Sequence, residues 1–271
     1  MAGRAGRAGV ALLVVIAAVA GLALGGRALW HSFQSAVRSD GCDFGSYNLD
    51  LDQAQIASTV VGVVLTRRLP ERAAVLTLAA ALQESKLRNI PAGEGDRDSV
   101  GILQQRPSQG WGSAAQIADV RYATGKFLDA VVKVPNWQED SLATVVQSVQ
   151  FSADGSAYSR HEQQAQQIAD ALVGAAPAGV NCSFDKPRQV ATSAAVAASL
   201  TTNLPVATPS AVGKTINVPG AGWATSAWLV CNANRLGIDS VAYSGKRWTP
   251  KHGWTDYSAA RADAVTAVLA R

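Results

Sequence analysis

The chain has little from which several common kinds of site are built. Of its 271 residues only three are histidines, His31, His161 and His252. They are far apart and lack metal-ligand spacing, so no metal centre is expected. No glycine-rich phosphate loop follows a strand pattern, and no local motif assembles a Ser–His–Asp arrangement. With these absences no cofactor is expected. Charged residues are sparse at 16%, and the 24 Lys and Arg are scattered among 20 Asp and Glu. They never interleave with aromatics as a nucleic-acid stripe would, so no nucleic-acid partner is expected. A net charge of +4 suits an anionic wall or lipid surface better. No internal repeat is present.

What the chain does have begins with one long uncharged run, residues 10–26, preceded by Arg4 and Arg7 and closed by Arg27. It sits at the lower limit for spanning a bilayer and above the usual length of a cleaved targeting core. Residues 1–27 are therefore expected to be a signal anchor and transmembrane segment, with the C-terminal part outside the cytoplasm. Cleavage within residues 22–28 is the alternative and would give a secreted protein. Cysteine usage agrees with export. Cys42 precedes the first amphipathic pattern and Cys182 follows the last helix of the same block, so a Cys42–Cys182 disulfide would clamp both ends of one domain. Three cysteines permit other pairings, and Cys231, in an apolar helical pattern, reads as a buried thiol.

Residues 28–46 read as a tether. Helical periodicity then begins, with Asp52 as a candidate cap, and Leu69-Pro70-Glu71 opens a second helix that runs toward Arg88. The stretch 91–112 is rich in Gly, Pro, Asp and Ser around Val100-Gly101-Ile102-Leu103, a loop or small hairpin. Ser113 and Gln116 match a capping box, and helical patterns follow at 122–132, 142–149 and 158–172. Residues 184–214 read as a linker with a possible short helix at 194–200. Residues 215–271 read as a small α/β accessory unit with a helix at 223–236, a strand at 240–243 and a final Ala-rich helix. Its tryptophans, Trp223, Trp228, Trp248 and Trp254, suit either a wall- or partner-binding surface or a small core.

Glu84 is the first candidate for chemistry. Thr77, Ala80 and Ala81 share its helical face and are small enough to leave a concavity there. A carboxyl against an apolar helix face, close to the helix C-terminus, is poorly solvated and meets the negative end of the backbone dipole. Both effects favour its protonated form, which a general acid for glycosidic cleavage needs.

The surrounding blocks carry a resemblance. Residues 81–89 read ALQESKLRN and residues 95–112 read GDRDSVGILQQRPSQGWG. This resembles the lysozyme-like lytic transglycosylase superfamily, in which a helix ends in Glu-Ser and a later loop delivers a Gly-Leu-Met-Gln-like segment. It is closer still to a group of actinobacterial exported proteins with an ALQESKLRN block, a GDRDSxGLFQQRPSQGWG block, a YAT…F…L…KVP block (here 122–135) and a closing cysteine, here Cys182. The resemblance spans roughly 42–182. It implies a mainly α fold, with a lysozyme-like α-rich domain of the soluble-transglycosylase and goose-lysozyme type over 47–183, the small α/β C-terminal unit and one N-terminal transmembrane helix.

It also implies cleavage of peptidoglycan glycan strands, with Glu84 as the single catalytic acid and base. Gln104 takes the place of the glutamine lining the cleft, and Ser99 lies where a small residue approaches substrate or Glu84. Gln105 and Arg106 follow as substrate-binding candidates, Arg106 toward a muropeptide carboxylate. Trp111 is the aromatic best placed to stack on a sugar, and Tyr158 and Phe151 read as stacking or core residues. The family's A-Y-N-A-G-like segment, whose tyrosine helps hold the glutamate and sugar, is missing. Its region reads Gln147-Ser148-Val149-Gln150-Phe151, which makes Gln150 or Gln147 its substitute. Two alternatives stand beside the transglycosylase. One is a hydrolytic muramidase using Glu94, Asp96 or Asp98 to position water. The other is a catalytically weak wall-binding scaffold. Expected partners are glycan strands, the membrane, and cell-wall or divisome-type proteins through the C-terminal unit.

Overall fold

The computed structural model of the chain describes residues 40–150 and 156–271. The run at 10–26, His31 and Phe151 lie outside the described residues. Among the described residues no helix is long and apolar enough to cross a membrane.

The first half runs β1 (Gly41–Phe44), β2 (Tyr47–Leu49), α1 (Leu51–Thr66), α2 (Glu71–Ser85), a 3-10 turn (Pro107–Gln109), α3 (Ala114–Ile117), α4 (Val120–Val131), α5 (Leu142–Gln150), α6 (Ser156–Ser159) and α7 (Glu162–Val173). Then come β3 (Val180–Ser183), α8 (Ser193–Asn203), β4 (Ser210–Val212), β5 (Thr215–Pro219), α9 (Trp223–Cys231), α10 (Ala233–Leu236), β6 (Ile238–Tyr243), β7 (Lys246–Thr249), β8 (Gly253–Asp256) and β9 (Ala264–Leu269).

The expectation of a mainly α chain is overturned by these nine strands. They form two antiparallel sheets, one of three strands in the order β2-β1-β3 and one of six in the order β4-β5-β9-β6-β7-β8. The protein is α+β. The small sheet escapes a sequence reading because its strands are three or four residues long, too short to establish a period of two. Part of the expected tether belongs to it. Cys42 and Cys182 face each other across the β1–β3 pair and are joined by a disulfide. The last segment is a strand, not the Ala-rich helix expected. β9 lies between β5 and β6, where Val265, Ala267 and Leu269 face the core, so sheet packing overrides the helical preference of alanine.

The first helix is capped by Asp50, not Asp52. The Asp50 carboxylate accepts from the Gln53 N–H while the Gln53 side chain accepts from the Asp50 N–H, a reciprocal box. Asp52, two residues on and within the first turn, instead receives both terminal nitrogens of Arg188, at 2.6 and 3.0 Å. The helix expected from 71 toward 88 ends at Ser85, where Lys86 and Leu87 take left-handed backbone angles and return Leu87 to the core. The box at Ser113 and Gln116 is formed.

The core centres on α2. Its residues from Ala73 through Leu82 are almost all buried, covered by α1, α4, α5, α6 and α7. Thr77, Ala80 and Ala81 lie fully inside this core, so they let helices approach closely and do not open a concavity. Residues 184–214, though mostly exposed, are tied to the rest of the protein at several points. The Arg188 and Ala191 N–H groups bond to the carbonyls of Asn234 and Leu236, and α8 buries Val196 and Leu200.

Candidate active site

The end of α2 carries Glu84, and four neighbouring segments fix it. From α1, the Gln53 amide donates to the Lys86 carbonyl at 2.7 Å, and Asp50 pairs with Arg88 at 2.6 Å. These contacts close the chain just beyond the helix. From the loop, the Ser85 hydroxyl donates to the Ile102 carbonyl at 2.8 Å and also lies 3.1 Å from the Ala81 carbonyl. The serine of the Glu-Ser pair therefore ties the Gly101–Gln104 segment to the helix end. From α5, the Gln150 amide donates to the Leu103 carbonyl at 3.0 Å. From α6, the Tyr158 hydroxyl donates to Oε1 of Glu84 at 2.6 Å.

Glu84 is half-buried, and its pKa is raised. Desolvation raises it, while hydrogen bonds from Tyr158 and Gln150 pull in the opposite direction. The balance suits a group that must alternate between two states. Burial favours the protonated acid, and two directed donors support the carboxylate once the proton has left.

Tyr158 is 1% exposed, which leaves its ring no open face for stacking on a sugar. It fills a core position and presents only its hydroxyl to Glu84. The hydroxyl thus meets Glu84 from a residue that the sequence offered for stacking or for the core. Nothing in the local sequence marks this, because an aromatic at helical spacing reads as core and the contact crosses 74 positions.

The loop after α2 is built from its own polar residues. Val100 and Gln105 form an isolated antiparallel bridge, and Gly101 adopts a positive φ of 78°. A Cβ at Gly101 would come within 2.7 Å of the Ile117 carbonyl oxygen, so the turn requires glycine. Gln104 is half-buried, and its amide donates to the Gly101 carbonyl at 2.9 Å. Ser99 is buried at the base of the loop, its N–H on the Asp96 carbonyl. Gln105 is 2% exposed, and its amide donates to the Ala123 carbonyl of α4, so it packs inside the protein. The Arg106 Nε donates to Asp98 at 2.8 Å, and Trp111 is half-buried against the core. The structure thus gathers Glu84, Tyr158, Gln150 and the Ile102–Leu103 backbone, while Gln105 and Arg106 brace the loop.

Among the carboxylates weighed for a hydrolytic role, Glu94 and Asp96 are exposed. Asp98 accepts from the Ser108 N–H at 2.8 Å as well as from Arg106. The Ser108 backbone N–H, then its hydroxyl, then Arg106 hold the Asp98 pKa well below the usual carboxylate range. No family model matches this chain, and no curated protein matches it.

Proposed function

We propose that the protein cleaves the glycan strands of peptidoglycan as a lytic transglycosylase, with Glu84 acting first as acid and then as base. The observation that carries this reading is the half-buried Glu84 carboxyl, raised in pKa by desolvation and gripped by the Tyr158 hydroxyl. The Glu-Ser and Gly-Ile-Leu-Gln blocks add to it, because Ser85 and Gln150 hold that loop beside the same carboxyl.

In the proposed reaction, protonated Glu84 gives its proton to the glycosidic oxygen leaving C1 of N-acetylmuramic acid. The substrate's acetamido oxygen bonds to C1 as that bond breaks. The Glu84 carboxylate then takes the proton of the C6 hydroxyl, and O6 displaces the acetamido oxygen at C1 to close a 1,6-anhydro ring. Glu84 ends protonated again, and no water is consumed. Substrate assistance of this kind dispenses with a second carboxylate. A hydrolytic muramidase would need a second group to activate water, and Asp98, engaged by Ser108 and Arg106, is a weak base for that purpose. The disulfide between Cys42 and Cys182 supports action outside the cytoplasm, where such bonds persist.

Digestion in 18O-labelled water tests this chemistry. A transglycosylase releases fragments without the heavy isotope, and incorporation at the new C1 end would instead assign a hydrolase.

A further inference from the structure

Glu84 and Gln83 are adjacent on the last turn of α2, so their side chains leave the helix about 100° apart. The chain from α6 into α7 meets both. Tyr158 reaches Glu84 at 2.6 Å, and three residues later Nε2 of His161 lies 3.1 Å from the Gln83 side-chain oxygen. An amide oxygen only accepts, so the imidazole serves this contact with its Nε2–H. The two contacts sit on one hydrogen-bonded corner. The His161 N–H bonds to the Tyr158 carbonyl, and the His161 carbonyl receives the Ala165 N–H as α7 begins. A shift of His161 along α2 would therefore carry the Tyr158 hydroxyl with it.

We propose that His161 is a positioning residue for Glu84: by bonding to Gln83 it locks the α6–α7 corner in the register that lays the Tyr158 hydroxyl on the Glu84 carboxyl. The inference rests on the reading of Glu84 as the acid and base, yet its structural content is independent of that reading. The groups around the two side chains define what else could act. Glu84 receives Tyr158 and Gln150. His161 is met by Arg160 and Gln164, and burial and then Arg160 lower its pKa, so the ring is neutral at neutral pH.

The test is a 13C NMR titration of the Glu84 carboxyl in the whole protein, paired with kinetics on purified peptidoglycan. Tyr158→Phe removes a hydrogen bond that lowers the Glu84 pKa, so the titration moves to higher pH. His161→Ala is expected to move it part of the way in the same direction, and to add nothing on top of Tyr158→Phe. His161→Gln, which restores a donor toward Gln83, is expected to bring it back. On substrate, His161→Ala is expected to lower kcat on the order of tenfold with KM little changed, as for a misplaced catalytic group.

An unmoved Glu84 titration in folded His161→Ala would overturn the proposal. Should that variant fail to fold, Gln83→Ala breaks the same link from an exposed side chain and is held to the same outcomes. If the wild type forms no product, the transglycosylase reading fails, and the titrations still decide the role of His161.

Discussion

At the scale of single residues, the proposed chemistry rests on one carboxyl whose surroundings push it two ways. Replacement of Glu84 by Gln keeps the shape and one donor–acceptor pair but removes the transferable proton. Turnover is expected to fall by at least about a thousandfold, since acid and base roles are lost together. The pH dependence has a definite sign. In the proposed reaction cleavage needs protonated Glu84, so kcat/KM is expected to fall as pH rises through the raised pKa of Glu84. Tyr158→Phe, which removes a donor to the carboxylate, moves that falling limb to higher pH and lowers the maximal rate. A pH–rate profile of both proteins checks this, and a limb displaced to lower pH would contradict it. The juxtaposition of the two blocks was legible in the sequence because a Glu-Ser pair at a helix end followed by Gly-Ile-Leu-Gln is a local pattern, and Ser85 does tie them together. The roles of Tyr158 and Gln83 were not, because each contact joins segments more than 70 positions apart and depends on how α6 and α7 fold over α2.

At the scale of elements, small contacts hold the loop and the helix end together. Ser85→Ala leaves the Ile102 carbonyl without its donor inside the protein, at a cost of about 1–2 kcal/mol. Urea unfolding measures that cost, and activity is expected to fall with it because the Gly101–Gln104 segment loses its tie to α2. The disulfide between β1 and β3 closes a loop with a separation of 140 positions. Its removal by Cys42→Ala with Cys182→Ala is expected to cost roughly 2–5 kcal/mol, seen as a lower denaturation midpoint. Helices were the more legible elements. The patterns at 122–132 and 142–149 return as α4 and α5 within two residues at either end, because a 3.6-residue period repeats several times in each. Among the strands, the pattern at 240–243 returns inside β6, but β1, β3 and β9 were not legible, for opposite reasons. β1 and β3 are too short to show alternation, while β9 alternates in the structure but contains alanines that also suit a helix.

At the scale of the whole molecule, residues Asp40–Arg271 form one compact unit. The six-stranded sheet and α9 are joined to the first half of the chain by specific polar ties. Trp248 and Trp254 donate their indole N–H groups to the carbonyls of Cys182 and Val180 in β3, at 3.2 and 2.8 Å. The buried Asn232 amide donates to the Ser58 hydroxyl of α1 at 3.1 Å, and α9 lies against α1, α7 and β3. The tryptophans therefore serve largely as cores and struts. That choice was invisible in the sequence, where aromatics suited a binding surface equally well. A chain ending at residue 204 would expose the faces of α1 and α7 that α9 covers. It is expected to lose cooperative thermal unfolding and to bind a hydrophobic dye, as calorimetry and fluorescence would record; an unchanged sharp transition would contradict the joined architecture.

The central claim concerns Glu84, and the most direct measurement is mass spectrometry of purified peptidoglycan incubated with the protein and, separately, with its Glu84→Gln variant. Anhydromuropeptides released by the wild type and absent from the variant are the predicted result. Reducing-end fragments, equal release by both proteins, or no release by either would contradict it.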